Sequence, residues 1–283
     1  MLEPMNLKSE ILSGKKGIVI GTANDRSLAW GIAREAASCG AELAFSYQGK
    51  ALEKRVRPLA KSLKSPIVEE CDVTIPESVD YFFDKISEEW EKIDFMIHAV
   101  AYSEKNGLKG KYINTNKENF LKTMEISCYS FTDLCNKASN LMPDGGSLLT
   151  LSYYGAEKVM PNYNVMGVAK AALEVSVKYL ATDLGEKNIR VNALSAGPVK
   201  TLAASGVNNF RYIMKWNELN SPLQRNTNLN DVGKSGVYLI SDLSSGVTGE
   251  IHHVDCGYNI VGMLAPNSTQ EISDLLNNAN LDQ

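Results

Sequence analysis

Residues 17–33, GIVIGTANDRSLAWGIA, decide the fold. They begin with an apolar run that is typical of a buried strand and end in an apolar helical pattern from about Leu28. Gly21 stands where the chain must turn tightly, Ser27 is a candidate N-cap, and Gly31 lies inside the helix. Such a turn can hold a pyrophosphate on the free amides of the helix N-terminus. The usual GxGxxG spacing is absent, so this stretch alone fits an ordinary capped helix equally well.

The alternation of apolar runs and helical patterns continues along the chain. Further strands are predicted at 42–47, 66–73, 93–101, 146–154, 189–197 and 250–256, and helices at about 50–63, 77–90, 118–141, after 161 and near 231. Apolar strands separated by helices indicate a parallel sheet that is covered on both faces. We therefore predict an α/β protein with a single-domain, doubly wound Rossmann fold and a seven-stranded parallel sheet. Residues 198–225 interrupt the alternation at the carboxyl end of the sixth strand, which makes them a candidate lid.

The composition excludes several classes of protein. The formal net charge is −4, whereas a nucleic-acid partner needs a basic face. No run approaches the ~20 apolar residues of a membrane span, and the first residues lack the apolar centre of a signal peptide. Five scattered cysteines and three histidines argue against a disulfide framework and a metal site. We expect a cytoplasmic protein without nucleic-acid, membrane or metal partners.

The ends of the second and third strands carry polar side chains where an adenosine would bind. Folds that bind NAD often place an acidic residue after the second strand to hold the ribose. Tyr47 and Gln48 stand there instead, so charge alone leaves NADH and NADPH open. Asp72, after the third strand, is a candidate acceptor for the adenine amino group, with Val73 beside the ring. Capping of the strand end is the commoner role of such an aspartate.

The stretch PNYNVMGVAKAALE (161–174) places Tyr163 and Lys170 seven residues apart. At ~100° per residue, both side chains reach one helix face, about 10 Å apart along the axis. The ammonium is expected to lower the pKa of the phenol, or to hold the ribose hydroxyls of a cofactor. The phenol can then hydrogen-bond a carbonyl oxygen that gains charge during hydride transfer. On position alone, either Tyr153 or Tyr154 could be a second functional phenol.

Three stretches carry a family resemblance: LTLSYYGAEKVMPNYNVMGVAKAALE (149–174), NIRVNALSAGPVKTLAASG (188–206) and SGVTGEIHHVDCGYN (245–259). Together they resemble the enoyl-acyl carrier protein reductases of type II fatty acid synthesis, a divergent branch of the short-chain dehydrogenase/reductase superfamily. The marks are Tyr-x6-Lys, in place of the commoner Tyr-x3-Lys, and the long glycine–serine–glycine turn. The resemblance covers 12–263 and leaves 264–283 as a C-terminal tail. HAVAYS (98–103) and Cys256 depart from the family pattern, which leaves the acyl-chain preference open.

The resemblance implies reduction of the carbon–carbon double bond of trans-2-enoyl-acyl carrier protein by NADH, the final step of the fatty acid elongation cycle. Hydride adds to the β-carbon and charge collects on the thioester oxygen as an enolate. Tyr163 matches the tyrosine that hydrogen-bonds this oxygen, and Lys170 matches the lysine on the nicotinamide ribose. Tyr153 matches a second tyrosine of the substrate pocket, which favours it over Tyr154. The source of the α-carbon proton, solvent directly or through the tyrosine, stays open.

The resemblance also implies which other residues contact the cofactor and the substrate. Ser103 matches a residue that lines the substrate pocket, and Gln48 resembles NADH-using members more than NADPH-using ones. The implied cofactor contacts are Gly21, Ser27, Leu28, Gln48, Asp72, Val73, Val100, Lys170, Val199, Thr201 and Ala203.

The implied partners are acyl carrier protein and three further copies of the chain. A homotetramer would form through the helices near 118–141 and 163–184. Basic residues near the lid are candidate contacts for the acidic carrier protein, although most would also suit a solvated helix face: Lys200, Arg211, Lys215 and Arg225. Two alternatives remain: a carbonyl reductase or alcohol dehydrogenase of the same superfamily, and a non-catalytic dinucleotide-binding scaffold. The Tyr-x6-Lys spacing argues against the first, and retention of both groups argues against the second.

Overall fold

One parallel sheet organises the chain. The computed structural model describes residues 10–202, 204, 209–262 and 273–274. The strands are β1 Lys16–Ile20, β2 Glu42–Tyr47, β3 Ile67–Glu70, β4 Phe95–His98, β5 Gly146–Ser152, β6 Ile189–Ala196 and β7 Ile251–Val254. Their order is β3-β2-β1-β4-β5-β6-β7, and each neighbouring pair is parallel. The predicted doubly wound α/β fold with seven parallel strands is confirmed.

Helices cover both faces of this sheet. They are α1 Leu28–Ser38, α2 Gly49–Ser62, α3 Pro76–Glu89, α4 Lys117–Met124, α5 Ser130–Ser139, α6 Asn164–Leu184, α7 Phe210–Asn220 and α8 Leu229–Ile240. The apolar sides of α1, α2 and α8 share one buried cluster with the sheet. The apolar sides of α3, α5 and α6 share the other cluster. Burial of these stripes is the main source of stability of such a layered fold.

Two glycines allow α1 and α8 to approach closely. A Cβ atom on Gly31 would lie 2.9 Å from the carbonyl oxygen of Leu229. A Cβ atom on Gly233 would lie 2.7 Å from the carbonyl oxygen of Gly31. Because both distances are shorter than carbon–oxygen contact allows, side chains there would push the helices apart. Gly31 therefore allows close packing between α1 and α8.

The strands and one helix differ from their predicted bounds. The third and fourth strands end at Glu70 and His98, earlier than the predicted 73 and 101, because the chain there leaves the sheet to form the ligand edge. The helix predicted over 118–141 is divided by a π-helical turn, Glu125–Tyr129. Within that turn the Ser127 hydroxyl donates to the carbonyl of Tyr102 at 3.0 Å and accepts from its amide at 2.9 Å. The π-turn thus ties a helix to the loop after β4.

The segment predicted as a lid contains a helix that the sequence pattern did not predict. Helix α7 occupies its centre, and the Trp216 indole N–H donates to the Tyr258 hydroxyl at 3.1 Å. The Tyr258 ring lies edge-on to Tyr154, with centroids 5.7 Å apart. Aromatic contacts therefore join α7 to the loop after β5.

None of the helices within the described ranges is long and apolar enough to cross a lipid bilayer.

Candidate active site

Two adjoining cavities lie along the carboxyl edge of the sheet. One, of about 780 Å³, follows the ends of β1 to β4, and the other, of about 590 Å³, lies below α7. Tyr153 and Tyr163 are among the residues that line both. Open α/β sheets bind ligands at this edge, beside the point where the strand order reverses. Here that point lies between β1 and β4.

The turn after β1 packs closely against the loop after β4. Gly21 has φ +102°, and a Cβ atom there would lie 2.4 Å from the carbonyl oxygen of Ala99. Only glycine fits this position. Ser27 precedes α1 but does not cap it with its side chain, so the N-cap prediction is wrong in that respect. Its hydroxyl instead accepts from the amides of Ala23 and Asn24 at 3.0 and 3.1 Å. The turn is thereby fixed from within, and the first amides of α1 remain free of a side-chain cap.

A polar pair closes the far end of the larger cavity. The Gln48 amide group donates to Asp72 at 3.0 Å, and both residues line the cavity together with Val73 and Val100. Asp72 also accepts from the amide and hydroxyl of Thr74. Burial raises the pKa of Asp72, but the bonds from Gln48 and Thr74 more than offset it and leave the pKa below its usual value. Asp72 is an ionised acceptor that also serves the strand-end capping role.

The two tyrosines form an edge-on pair where the cavities meet. Their ring centroids lie 5.1 Å apart at 76°, and Tyr163 is the N-cap residue of α6, not an interior helical residue. Burial raises the pKa of Tyr163, and Tyr153 and Glu174 raise it further. The expectation that Lys170 lowers this pKa is wrong, because burial dominates. Tyr163 is a neutral phenol that keeps its proton to donate.

Lys170 is buried in the larger cavity. It is 6% exposed, and its ammonium donates to the carbonyl of Leu151 at 2.7 Å. Burial lowers its pKa to about 8, although Cys128 and Glu174 oppose the shift. Nearby His98 is neutral: burial and the charge of Lys170 lower its pKa to about 3. Its ring nitrogens lie 2.9 Å from the Thr150 hydroxyl and 3.0 Å from that of Ser130.

The smaller cavity has a largely apolar wall. Its side chains include Leu108, Met160, Met166, Phe210 and Ile213. Such a wall suits a hydrocarbon chain better than a polar substrate.

A few polar groups enter this apolar wall. Ser103 lines it, and its hydroxyl accepts from Thr123 at 3.0 Å and donates to Asn119 at 3.3 Å. Thr201 lines both cavities, whereas Val199, also predicted to contact the cofactor, lines the smaller cavity and not the larger one. Ala203, also assigned to the cofactor, lies outside the described residues.

Comparison with known proteins identifies the family. Residues 21–259 match the family described as Enoyl-(Acyl carrier protein) reductase. The chain belongs to this family. A relative in Rhizobium meliloti, an NADH enoyl-[acyl-carrier-protein] reductase, is 59% identical over 91% of this chain and 94% of its own length. A second, in Rickettsia felis, is 58% identical over 89% of this chain and 97% of its own length. The resemblance drawn from the sequence motifs is confirmed.

Solved structures of the reductase family share the fold. The enzyme of Anaplasma phagocytophilum in complex with NAD superposes with a TM-score of 0.88, at 60% identity, over 91% of this chain and 98% of that one. The Bacillus cereus enzyme with NADP+ and an indole naphthyridinone superposes with a TM-score of 0.88, at 48% identity, over 90% of this chain and all of that one. Both pairs are similar enough for the whole sheet and its ligand edge to correspond.

Within this family site, Tyr153 and Tyr154 take different directions. Tyr153 faces the cavities, whereas the Tyr154 ring lies edge-on to His253 with centroids 6.3 Å apart. The Tyr154 hydroxyl donates to the carbonyl of Asn259 at 3.4 Å. The structure therefore brings Tyr153, and not its neighbour, to Tyr163. The resemblance had favoured the same residue.

Sequence reasoning missed a buried carboxylate beside Lys170 in the candidate site. Glu174 lies one turn after Lys170, is 8% exposed, and accepts a hydrogen bond from the Ser152 hydroxyl. Burial raises its pKa, and the bond from Ser152 opposes this. The signal was an acidic residue four positions after a lysine on an otherwise apolar helix face. Among the described residues, no group of three or more His, Cys, Asp or Glu side chains is arranged to hold a metal ion.

Proposed function

We propose that the protein reduces the carbon–carbon double bond of trans-2-enoyl-acyl carrier protein thioesters with NADH, with Tyr163, Tyr153 and Lys170 at the reacting end. One observation carries this assignment of roles. Two half-buried phenols stand where a dinucleotide-shaped cleft meets an apolar cavity, and a buried ammonium lies inside the cleft. Reduction of an enoyl thioester needs such a meeting point between a nicotinamide and an acyl chain.

The larger cavity fits NADH. The first amides of α1 are free of a side-chain cap and can bind a diphosphate, and Asp72 offers an ionised acceptor at the other end. The Thr22 hydroxyl is buried and lacks a hydrogen-bond partner among the described residues. An orphaned buried hydroxyl is costly unless a ligand completes it. Bound there, NADH supplies the hydride for the β-carbon of the substrate.

Tyr163 stabilises the charge that develops on the substrate. Its raised pKa keeps the phenol protonated at neutral pH, so it donates a hydrogen bond to the thioester oxygen as that oxygen becomes an enolate. The bond strengthens as charge grows, so it lowers the barrier more than it stabilises the bound substrate. Tyr153 packs against the Tyr163 ring and fixes its direction.

Lys170 holds the cofactor ribose. Its ammonium is anchored on the Leu151 carbonyl and keeps further donor hydrogens for ribose hydroxyls inside the cleft. It acts as a binding group, because burial keeps the Tyr163 phenol neutral and leaves no phenolate for the ammonium to stabilise.

The assembly and the surroundings of the enzyme form part of the proposal. Apolar side chains on α6 are exposed in the single chain, including Val175 at 50% and Tyr179 at 71%. Exposed apolar side chains on one helix are typical of an interface between copies, which supports the proposed homotetramer. Residues 198–225 are proposed as the lid over the substrate within a single catalytic domain, 12–263. The five cysteines are free thiols, which fits the cytoplasm.

The experiment is a substrate panel. NADH oxidation is followed at fixed enzyme concentration with crotonyl thioester, and separately with ketones, aldehydes and no acceptor. The proposal predicts turnover of the enoyl thioester alone. Turnover of ketones or aldehydes in its place would assign a carbonyl reductase, and binding of NADH without any turnover would assign a scaffold.

A further inference from the structure

A carboxylate occupies the start of α2, at the adenosine end of the larger cavity. The Gly49 amide, the first of α2, donates to a Glu70 carboxylate oxygen at 3.0 Å. Glu70 is the last residue of β3 and pairs in register with Tyr47, the last residue of β2. NAD-binding folds often have an acidic residue after the second strand, and here the acidic group at that place comes from the third strand.

The position of the Glu70 carboxylate determines the charge that the 2′-phosphate of a bound NADPH would encounter. The adenosine ribose of a bound dinucleotide lies at the end of β2, beside Gln48, which lines the cavity. Without Glu70, the free amides at the start of α2 would attract a phosphate, because a helix N-terminus favours anions. Lys50 and Lys54, in the first turns of α2, would add to that attraction. The Glu70 carboxylate already accepts the hydrogen bond of the Gly49 amide, so this amide is not free for a phosphate, and the carboxylate adds a negative charge beside the phosphate position.

We propose that Glu70 is a specificity-determining residue that selects NADH over NADPH by keeping its carboxylate on the Gly49 amide. A 2′-phosphate would have to displace this internal anion or sit beside it at a like-charge cost. A ribose 2′-hydroxyl meets no such penalty. The inference rests on the proposed function only in taking a nicotinamide dinucleotide as the cofactor.

The test uses nucleotide fragments and needs no turnover. Calorimetry compares adenosine 2′,5′-bisphosphate with adenosine 5′-monophosphate on the full chain, its E70Q variant and the E69Q variant. The side-chain amide introduced by E70Q keeps an acceptor oxygen for the Gly49 amide and removes only the charge. Glu69 is the matched control, because it is the adjacent residue of β3 and points to the opposite face of the sheet.

The proposal predicts a change in one ratio. E70Q should tighten the bisphosphate by at least about tenfold relative to the monophosphate, since a like charge is removed. E69Q should leave the ratio within about twofold, because the Glu69 side chain lies on the opposite face of the sheet from that of Glu70. A Glu70→Lys variant, which turns the internal anion into a cation, should tighten the bisphosphate further.

Two results would overturn the proposal: an unchanged ratio in E70Q, or an equal rise in E69Q. Melting curves of each variant confirm that the fold is intact. Because the fragments carry no nicotinamide and no acyl chain, these outcomes stand apart from those of the substrate panel. The fragment titration can therefore support or refute the role of Glu70 even if the protein turns over no enoyl thioester.

Discussion

The two ends of the dinucleotide cleft are built by different means. At the proposed catalytic end, Lys170 is buried and Tyr163 is half-buried, and burial shifts both of their pKa values toward the neutral form. At the adenosine end, Gln48, Asp72 and Glu70 are held by exposed hydrogen bonds. At the first end, burial determines the protonation states of the groups proposed to act in the reaction. At the second end, exposed polar groups can favour one dinucleotide over another and contribute little to the stability of the fold. Substitutions at the first end should therefore change rate, and those at the second should change selection.

The largest effect is expected at Tyr163. In Y163F the hydroxyl that we propose stabilises the enolate is lost while the ring packing on Tyr153 remains. Turnover of crotonyl thioester should fall about 100-fold, with NADH affinity within about twofold of the parent. Y154F, with the same atom removed from the neighbouring phenol, is the control and should keep its turnover. A Y163F enzyme with the turnover of the parent would show that the Tyr163 hydroxyl has no part in the reaction.

The turn at Gly21 should give the next largest effect. G21A introduces a Cβ atom against the Ala99 carbonyl at a residue with φ +102°, so the free energy of unfolding should fall by about 2 kcal/mol or more. Gly14 offers a matched control, since its φ is +75° and its Cβ would meet nothing within 4 Å. Denaturant unfolding of both variants measures the difference. Equal losses would mean that backbone strain alone, and not close approach to the loop after β4, requires the glycine.

Lys170 should give a smaller, pH-dependent effect. Its pKa is lowered to about 8 by burial, so the fraction of charged ammonium falls as pH rises from 7 to 9. We predict that NADH affinity weakens over this window, by up to about tenfold once the charge is lost. The K170M variant should bind NADH weakly at both pH values, without this pH dependence. Fluorescence titration gives the affinities, and a parent enzyme whose affinity is flat from pH 7 to 9 would remove the charged lysine from ribose binding.

The smallest effect is expected at Asp72. D72N keeps the shape of the side chain but weakens its bonds to Gln48 and to an adenine amino group. NADH affinity should fall a few-fold, about 1 kcal/mol for one weakened hydrogen bond, while turnover at saturating NADH stays unchanged. A fall in that saturated rate would show that the adenosine end also governs the chemistry.

The sequence predicted best those features that repeat locally. The alternation around Gly21 indicated the sheet, and Tyr163 with Lys170 indicated the family. Features that depend on packing between distant segments could not be predicted. Three such features are the contacts of helix α7 with the loop after β5, the bonds of Ser127 to the loop after β4, and the Glu70–Gly49 bond. In each, the sheet brings together residues that are far apart in the sequence. The predicted direction of the Tyr163 pKa shift was wrong for the same reason, since burial by the surrounding elements raises this pKa.

The central claim is that the Tyr163 phenol meets the substrate oxygen beside the nicotinamide. A crystal structure of the complex with NAD and a saturated or unreactive acyl thioester tests it most directly. We predict the Tyr163 hydroxyl at hydrogen-bond distance, about 2.7 Å, from the thioester oxygen, with the acyl chain in the apolar cavity below α7. A thioester oxygen bound elsewhere, with the Tyr163 hydroxyl turned to bulk solvent, would contradict it.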